Sequence, residues 1–397
     1  MNHYDTIIVG GGPIGAYVAK TCAQYGHSTA LYEQHYMIGQ PVNCAGLVTP
    51  RVFKEFHIPT KPSIQNKIYG ANIYPPSGKP LVIGGDSIHA YAINRRLFDQ
   101  QLIQQAKSKG ASIFLNHKLL SAQRTNNQLD LSLRQQKDII HVTTNLLIGA
   151  DGPQSFIRQQ FFLSKPKERL HGIGLELVDT DMDPRFIHMF LGTKLAPGFF
   201  GWVIPTHPKG TTARIGLCIQ EPQPHSPKFY FHKFQQHSPV RSLLDQATPT
   251  TMSGGLIPLG VLKMTATDNV MIVGDAAAQV KPTSGGGIFP GLRCAHHCAE
   301  TAHKAINTHQ FHQQILKQYH KQWQNDLGRE LGIGMRFRAL FTRLSDKELD
   351  KYIEKLNTPK LIDVINTYGD IDYPSKLIFP LMKKAPSLLK LALPRKP

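Results

Sequence analysis

The stretch "YDTIIVGGGPIGAYVAKTCAQYGHSTALYEQ", residues 4–34, reads as strand, tight turn, helix and second strand. Residues 6–9 form a short buried strand pattern. Gly10, Gly12 and Gly15 follow at once in the spacing G-x-G-x-x-G. Ala16, Ala19, Cys22 and Ala23 then recur at helical spacing, all small enough to pack close to a sheet. Gly26 stands where such a helix would end, residues 27–32 read as the second strand, and Glu33 closes it. Each residue type has a physical reason. Gly10 permits the turn, Gly12 lets a diphosphate approach the backbone, and Gly15 lets helix and strand approach each other. The helix N-terminus offers free N–H groups to phosphate. Glu33 can accept hydrogen bonds from ribose hydroxyls, and its charge repels a 2′-phosphate. The turn therefore suits FAD or NAD better than NADP, and it predicts an α/β, Rossmann-like nucleotide-binding domain.

Composition bounds the rest. The 397 residues suffice for two or three domains, and 41% apolar with 18% charged residues is a globular balance. No apolar run is long enough to cross a bilayer, and nothing resembles a signal peptide. Five cysteines without paired spacing argue against a disulfide framework and favour a reducing, cytoplasmic setting. The formal charge of +18 attracts phosphate, whether on a cofactor, an anionic lipid or nucleic acid. No nucleic-acid-binding module accompanies it, so no nucleic-acid partner is expected.

A second glycine-rich stretch, "NVMIVGDAAAQVKPTSGGGIFPG", residues 269–291, runs from an apolar strand into a turn and then a helix. Three consecutive glycines, Gly285 to Gly287, are costly to order. Between the two stretches, "LLIGADGPQSFIRQ" ends a strand at Asp151-Gly152. This order of motifs resembles the large flavoprotein family that includes p-hydroxybenzoate hydroxylase and the geranylgeranyl reductases. The resemblance implies FAD as the cofactor. It places the Asp275 carboxylate on the ribityl chain and a flat isoalloxazine ring against Gly285, Gly286 and Gly287. The N-terminus of the next helix, with Pro290 in its first turn, would point at the ring's pyrimidine edge.

Three further stretches narrow the resemblance. "PVNCAGLVTP", residues 41–50, is similar to the Pro-Val-x-Cys-Ala-Gly-Leu-Val segment of archaeal-type geranylgeranyl reductases. "PGFFGWVIP", residues 197–205, matches the family's Pro-x-x-Tyr-x-Trp-x-Phe-Pro at Pro197, Trp202 and Pro205, with Phe200 replacing Tyr and Ile204 replacing Phe. "INRRLFD" matches Arg-x-x-Phe-Asp at Arg95, Phe98 and Asp99, and that arginine would reach the FAD diphosphate. The resemblance also carries over Ile14 in the glycine turn and Asp151 at the end of its strand as cofactor-binding residues, with Cys44, Ala45, Leu47 and Ile288 near the flavin. Leu119, on a strand expected over residues 113–120, would make a backbone contact near the adenine. Cys44 and Trp202 are the candidate catalytic residues, and Phe199, Phe200 and Trp202 the candidate substrate-binding residues. Cys294 and Cys298, with His296 and His297 between, are the nearest approach to a metal motif, but no second ligand cluster answers them, so no metal is expected.

The flavin motifs are scattered, so the FAD-binding domain must be discontinuous, over 1–65, 90–165 and 260–305. Residues 66–89 and 166–259 carry strand-like runs and should form a β-sheet substrate domain roofing the flavin. Residues 306–397 read as a helical C-terminal region, with a capping box at Ser345 and Glu348. The tail "YPSKLIFPLMKKAPSLLKLALPRKP" alternates apolar runs with Lys and Arg, as a peripheral membrane-surface segment does.

The implied function is an FAD-dependent reductase of isoprenoid double bonds on a lipid or prenyl substrate. An isolated trisubstituted alkene accepts hydride poorly. A proton arriving at the less substituted carbon gives the other carbon cationic character, which aromatic faces can stabilise. Cys44 or a bound water would supply the proton. The rivals are a flavin-dependent aromatic monooxygenase on the same fold and a non-catalytic flavin or lipid carrier. With only one dinucleotide fingerprint, the electron donor stays open between NAD(P)H and a ferredoxin.

Overall fold

The computed structural model describes residues 2–161 and 164–385. Its core is a mixed sheet in the spatial order Ala266–Thr267, Val270–Ile272, Asp138–Gly149, Asn2–Val9, Thr29–Tyr32, Ser112–Phe114. All neighbours in it are parallel except the first pair. Ile7 and Ile8 are both fully buried, so the Asn2–Val9 strand is covered on both faces, as parallel strands are. Two strands, His117–Thr125 and Gln128–Gln135, extend this sheet antiparallel to the long strand Asp138–Gly149. The single strand expected over 113–120 is therefore two. The chain breaks at Asn116, which takes φ +60°, and turns onto a different partner.

Helix Pro13–Gln24 packs back on the sheet through Ala16, Ala19, Cys22 and Ala23, between helices Arg95–Ser108 and Ile288–Thr308. Gly26, at φ +86°, follows its end. Helices Ile288–Thr308 and Gln313–Trp323 complete that layer.

A second, seven-stranded sheet runs Thr248–Leu259, Glu168–Val178, Thr212–Gln220, Phe200–Pro205, Phe186–Leu191, Gly70–Tyr74, Leu81–Gly84. One face packs on helix Pro227–Gln236 through Phe234, Val203 and Leu217. The alternation of side chains turns Phe200, Trp202 and Ile204 to the opposite face, toward the nucleotide-binding layer. A small sheet of Leu47–Val48, Ala90–Ile93 and Ile64–Ile68 links the two. Beyond residue 306 the described chain is helical, ending in Arg329–Phe341, Asp346–Leu356, Pro359–Tyr368 and Ser375–Lys384. Ser345 N donates to Glu348 Oε2 at 3.0 Å, and the expected capping box of Ser345 and Glu348 is present. Of the basic tail, residues 386–397 lie outside the described residues. Among those described, no helix is long and apolar enough to cross a membrane.

Candidate active site

A cavity of about 630 Å³ lies between the two large sheets. It is bounded by the N-terminal glycine turn, the loop through Cys44, the face of the seven-stranded sheet, the glycine loop at 281–288 and the C-terminal segment at 365–377. Of the residues singled out from the sequence, Gly12, Ile14, Cys44, Ala45, Leu47, Arg95, Phe199, Phe200, Trp202, Asp275, Gly286, Gly287 and Ile288 all line it. Residues from both ends of the chain are thus brought to one site.

The glycines of the first turn divide by what stands near them. A Cβ on Gly15 would lie 2.0 Å from the Gly10 carbonyl oxygen, and one on Gly10, already at φ +111°, 2.2 Å from the Ala150 oxygen. These two let helix and strands close up. Gly12 differs: no protein atom lies within 4 Å of the place its Cβ would take. Its side faces the cavity, where a ligand backbone can approach. Helices Pro13–Gln24 and Ile288–Thr308 both begin at the cavity wall with no side-chain cap, so their N-terminal N–H groups are left for an oxygen-rich ligand. Ile14 wedges between Gly274 and Gly291, where Cβ atoms would come within 3.1 and 2.6 Å of it.

Glu33 sits at the end of its strand but off the cavity wall. Its Oε2 accepts from Gly11 N at 2.6 Å, and its Oε1 from the His35 backbone N–H at 2.9 Å. Asp151 departs from expectation. Its Oδ1 accepts from Ser155 Oγ at 2.7 Å and its Oδ2 from Ile157 N at 3.0 Å, while burial pushes its carboxyl upward. The carboxylate caps the short helix Phe156–Gln160 and shapes a turn whose Gly152, not Asp151, reaches the cavity. The Leu119 side chain is buried among Leu129, Leu131 and Leu133 and stands off the cavity wall.

Arg95 opens its helix and is gripped by Asp99 one turn on, Nε to Oδ1 at 3.2 Å and Nη2 to Oδ2 at 3.0 Å. Burial disfavours its charge, but Asp99 and Cys44 offset that and hold it protonated. Cys44 is half-buried, accepts from Gly46 N at 3.3 Å, and stands near enough to Arg95 to favour its charge. The other four cysteines are buried. Burial pushes the Cys22 and Cys218 thiols up to about 12. Cys294 and Cys298 are core residues of their helix. The neighbouring histidines pair with Glu300 and Asp326 instead.

The Cys44 loop is fixed by Arg214, which the sequence did not single out. Its Nη1 donates to the carbonyls of Ala45 (3.1 Å) and Ile93 (2.9 Å), Nη2 to Gln65 Oε1 (2.7 Å), and Nε to Glu176 (2.8 Å). A Cβ on Gly46, at φ +68°, would come 2.4 Å from that guanidinium.

Across the cavity, the turn after Val270–Ile272 is locked by a buried relay. Gly274 N donates to Gln279 Oε1, Gln279 Nε2 to the Tyr319 hydroxyl, and that hydroxyl to the Ile272 carbonyl, each at 2.8 Å. Asp275 follows. Among the described residues its carboxylate accepts no hydrogen bond. Burial raises it to about 6 although Arg95 pulls it down. An acceptor held ready at the cavity wall fits ribityl hydroxyls. The three glycines also have reasons within the chain. Gly285 takes φ +69°, and Cβ atoms on Gly286 and Gly287 would lie 2.9 Å from Lys281 Cε and 2.8 Å from Asp275 Oδ1.

The aromatic trio separates. Phe199 is 3% exposed, stacks on Phe200 (centroids 4.2 Å, 18°), and carries the buried Arg338 guanidinium over its ring at 5.6 Å. Arg338 Nε is held by Glu168 Oε2 at 2.8 Å. Phe199 is thus packed by these two neighbours while still reaching the cavity wall. Phe200 and Trp202 stand 6.2 Å apart at 73°. The indole lies over Gly216 of the neighbouring strand, where a Cβ would come within 2.5 Å of Cζ2.

The last wall comes from the segment "YGDIDYP", which no local pattern marked. Buried Asp372 binds Lys281 Nζ at 2.7 Å, Arg51 Nη1 at 2.9 Å and the Thr49 hydroxyl. Asp370 takes Arg51 bidentately and Lys376 at 2.9 Å. Despite burial, hydrogen bonds from Arg51 and Lys376 hold its carboxyl well below the usual range. These ion pairs tie the C-terminal segment to the glycine loop and to the start of helix Pro50–Glu55.

Fold and cradle together define a flavoprotein of the two-sheet, glycine-turn type. A family model described as the FAD binding domain matches residues 82–325. An uncharacterized protein of Methanocaldococcus jannaschii is 32% identical over 96% of this chain and 95% of its own length. The chain belongs to the FAD binding domain family, and FAD is its cofactor. A digeranylgeranylglycerophospholipid reductase of the same organism is 29% identical over 98% of this chain and 97% of its own. Among solved structures, a geranylgeranyl bacteriochlorophyll reductase-like protein from Thermoplasma acidophilum superposes with a TM-score of 0.88 at 25% identity, covering 98% of each chain. The flavin-dependent brominase Bmp2, at 15% identity and a TM-score of 0.74, shares the fold.

Proposed function

We propose that this protein is an oxidoreductase that reduces isoprenoid carbon–carbon double bonds, of the geranylgeranyl type, on a lipid or prenyl substrate. One observation carries the reading: the cradle of Gly12, Arg95 and Asp275 opens without a break into an apolar channel lined by Ile68, Ile73, Ile83, Ile187, Met189 and Leu377. A chain of branched hydrocarbon fits such walls, and relatives of the same length named for digeranylgeranylglycerophospholipid reduction support the choice.

Held in the cradle, FAD would supply hydride chemistry. The residues of the chain do the rest. Asp275 and Arg95 would hold its ribityl and diphosphate portions, with the two uncapped helix ends completing the cradle. The apolar channel excludes water and lays one double bond beside the glycine loop. Cys44 Sγ, facing the cavity, holds the proton for the less substituted carbon. Phe200 and Trp202 present ring faces to the carbon that gains cationic character. Arg214 keeps the Cys44 loop at a fixed height below the sheet that carries Trp202. The protein works at a membrane surface from the cytoplasmic side.

The test is anaerobic. Flavin reduced by dithionite is mixed with a geranylgeranyl lipid and its absorbance followed. Return of the oxidised spectrum, with lipid gaining two hydrogens per double bond, supports the reading. Reoxidation only by oxygen, with hydroxylation of an aromatic compound, replaces it with the monooxygenase.

A further inference from the structure

We propose, resting on the lipid-substrate reading above, that helix Ser375–Lys384 docks on an anionic lipid surface and holds the mouth of the cavity against it. The helix has two unlike sides. Leu377, with Pro374 and Ile371 just before it, lines the cavity. Lys376, Phe379 and Lys383 recur at i, i+3 and i+7 on the other side, with Met382 beside them. Phe379 is 76% exposed, the most exposed large apolar side chain among the described residues. Met382 and Tyr368 add apolar surface on the same segment. None of the ten helix residues is buried.

The charge names the partner. From residue 375 to the C-terminus the sequence holds Lys376, Lys383, Lys384, Lys390, Arg395 and Lys396 and no Asp or Glu. Among the described residues Lys376 pairs with Asp370, while Lys383 and Lys384 have no carboxylate partner. An apolar ridge flanked by unneutralised lysines matches the boundary between acyl chains and anionic headgroups, where Phe379 enters and the lysines stay in the headgroup layer. The same short segment forms the cavity wall and this ridge. An isoprenoid chain can therefore pass from bilayer to channel without crossing water. The Asp370 and Asp372 ion pairs fix the helix to the body, so the surface is presented by a rigid element and docking sets the orientation of the mouth.

The experiment uses the full-length flavoprotein and sucrose-loaded vesicles, either of phosphatidylcholine alone or with phosphatidylglycerol. The wild type should sediment with the mixed vesicles, less so as salt rises. Each lysine is worth about fivefold near such a surface, and Phe379 roughly tenfold. Phe379→Ser with Lys383→Gln and Lys384→Gln should therefore lower partitioning on the order of a hundredfold. Its flavin spectrum and its turnover of detergent-dispersed lipid should stay unchanged, since none of the three side chains reaches the cavity. Three results overturn the proposal: equal sedimentation of wild type and variant, equal binding to neutral and anionic vesicles, or a wild-type dimer that the variant splits with vesicle binding unaltered. A chain that binds vesicles through these residues yet is reoxidised by no isoprenoid upholds the docking and overturns the substrate reading instead.

Discussion

Gly12 and Gly15 lie three residues apart in one motif, yet replacing each by alanine should have opposite consequences. Gly12 caps its helix at φ −69° and ψ 176°, a conformation open to alanine, with no protein atom within 4 Å of the new Cβ. Alanine is a poorer cap than glycine by a few tenths of a kcal/mol up to about 1, while restricting the unfolded chain returns about 0.4–1 kcal/mol. The two nearly cancel, so apoprotein stability should move by less than about 1 kcal/mol. FAD binding should not escape. A methyl group where the diphosphate meets the backbone displaces at least one charge-assisted hydrogen bond, worth about 1.5–3 kcal/mol, which weakens Kd roughly 10- to 150-fold. Gly15→Ala places its Cβ 2.0 Å from the Gly10 carbonyl oxygen and 3.1 Å from Ala150 Cβ, forcing helix from strand. That should cost about 1–3 kcal/mol or more in the apoprotein itself. Urea unfolding of the two apoproteins and FAD titration by flavin fluorescence separate the effects. Wild-type FAD affinity in Gly12→Ala would mean that the diphosphate lies elsewhere, and the cradle assignment would fall.

Other outcomes follow from the same geometry. The Asp275 carboxyl, raised to about 6, holds a proton in the folded apoprotein that the unfolded chain releases near pH 4, so stability should fall as pH rises between those values, by about 3 kcal/mol at most. Asp275→Asn should flatten that dependence in pH-resolved urea unfolding and weaken FAD retention. Trp202→Leu should keep FAD bound and reducible but slow anaerobic reoxidation by geranylgeranyl lipid roughly 30-fold, for a lost cation–π contact of about 2 kcal/mol. Phe199→Leu should instead lower thermal stability, through the contact with Arg338, and leave that rate alone; equal rate losses in both variants would put Phe199 back on the substrate. Asp372→Ala strands the Lys281 ammonium in a buried place and should destabilise by about 3–5 kcal/mol, much of it recovered by adding Lys281→Met; absence of recovery would show that the pair is not the cause.

What the sequence determined by itself is local chemistry. A turn needing Gly10 and Gly15, small residues at helical spacing, and strands ending in Gly-Asp are written within a few residues of one another, and most of the residues they single out line one cavity. The neighbours those residues would meet are not written there. Asp151 and Asp275 both end a strand beside a glycine. One caps a helix through Ser155 and Ile157, while the other accepts nothing among the described residues and faces the cavity. Only the next turn of chain decides between them. Phe199 and Phe200 are adjacent and alike, and what separates them is Arg338, delivered from a helix nearly 140 residues away. Arg214 and Asp372 show the same limit. A buried guanidinium and a buried carboxylate acquire meaning only from carbonyls and cations brought in by other elements, because a lone charge has no stable place in an apolar interior. Their positions are set where sheets and helices meet, and no spacing along the chain encodes that meeting.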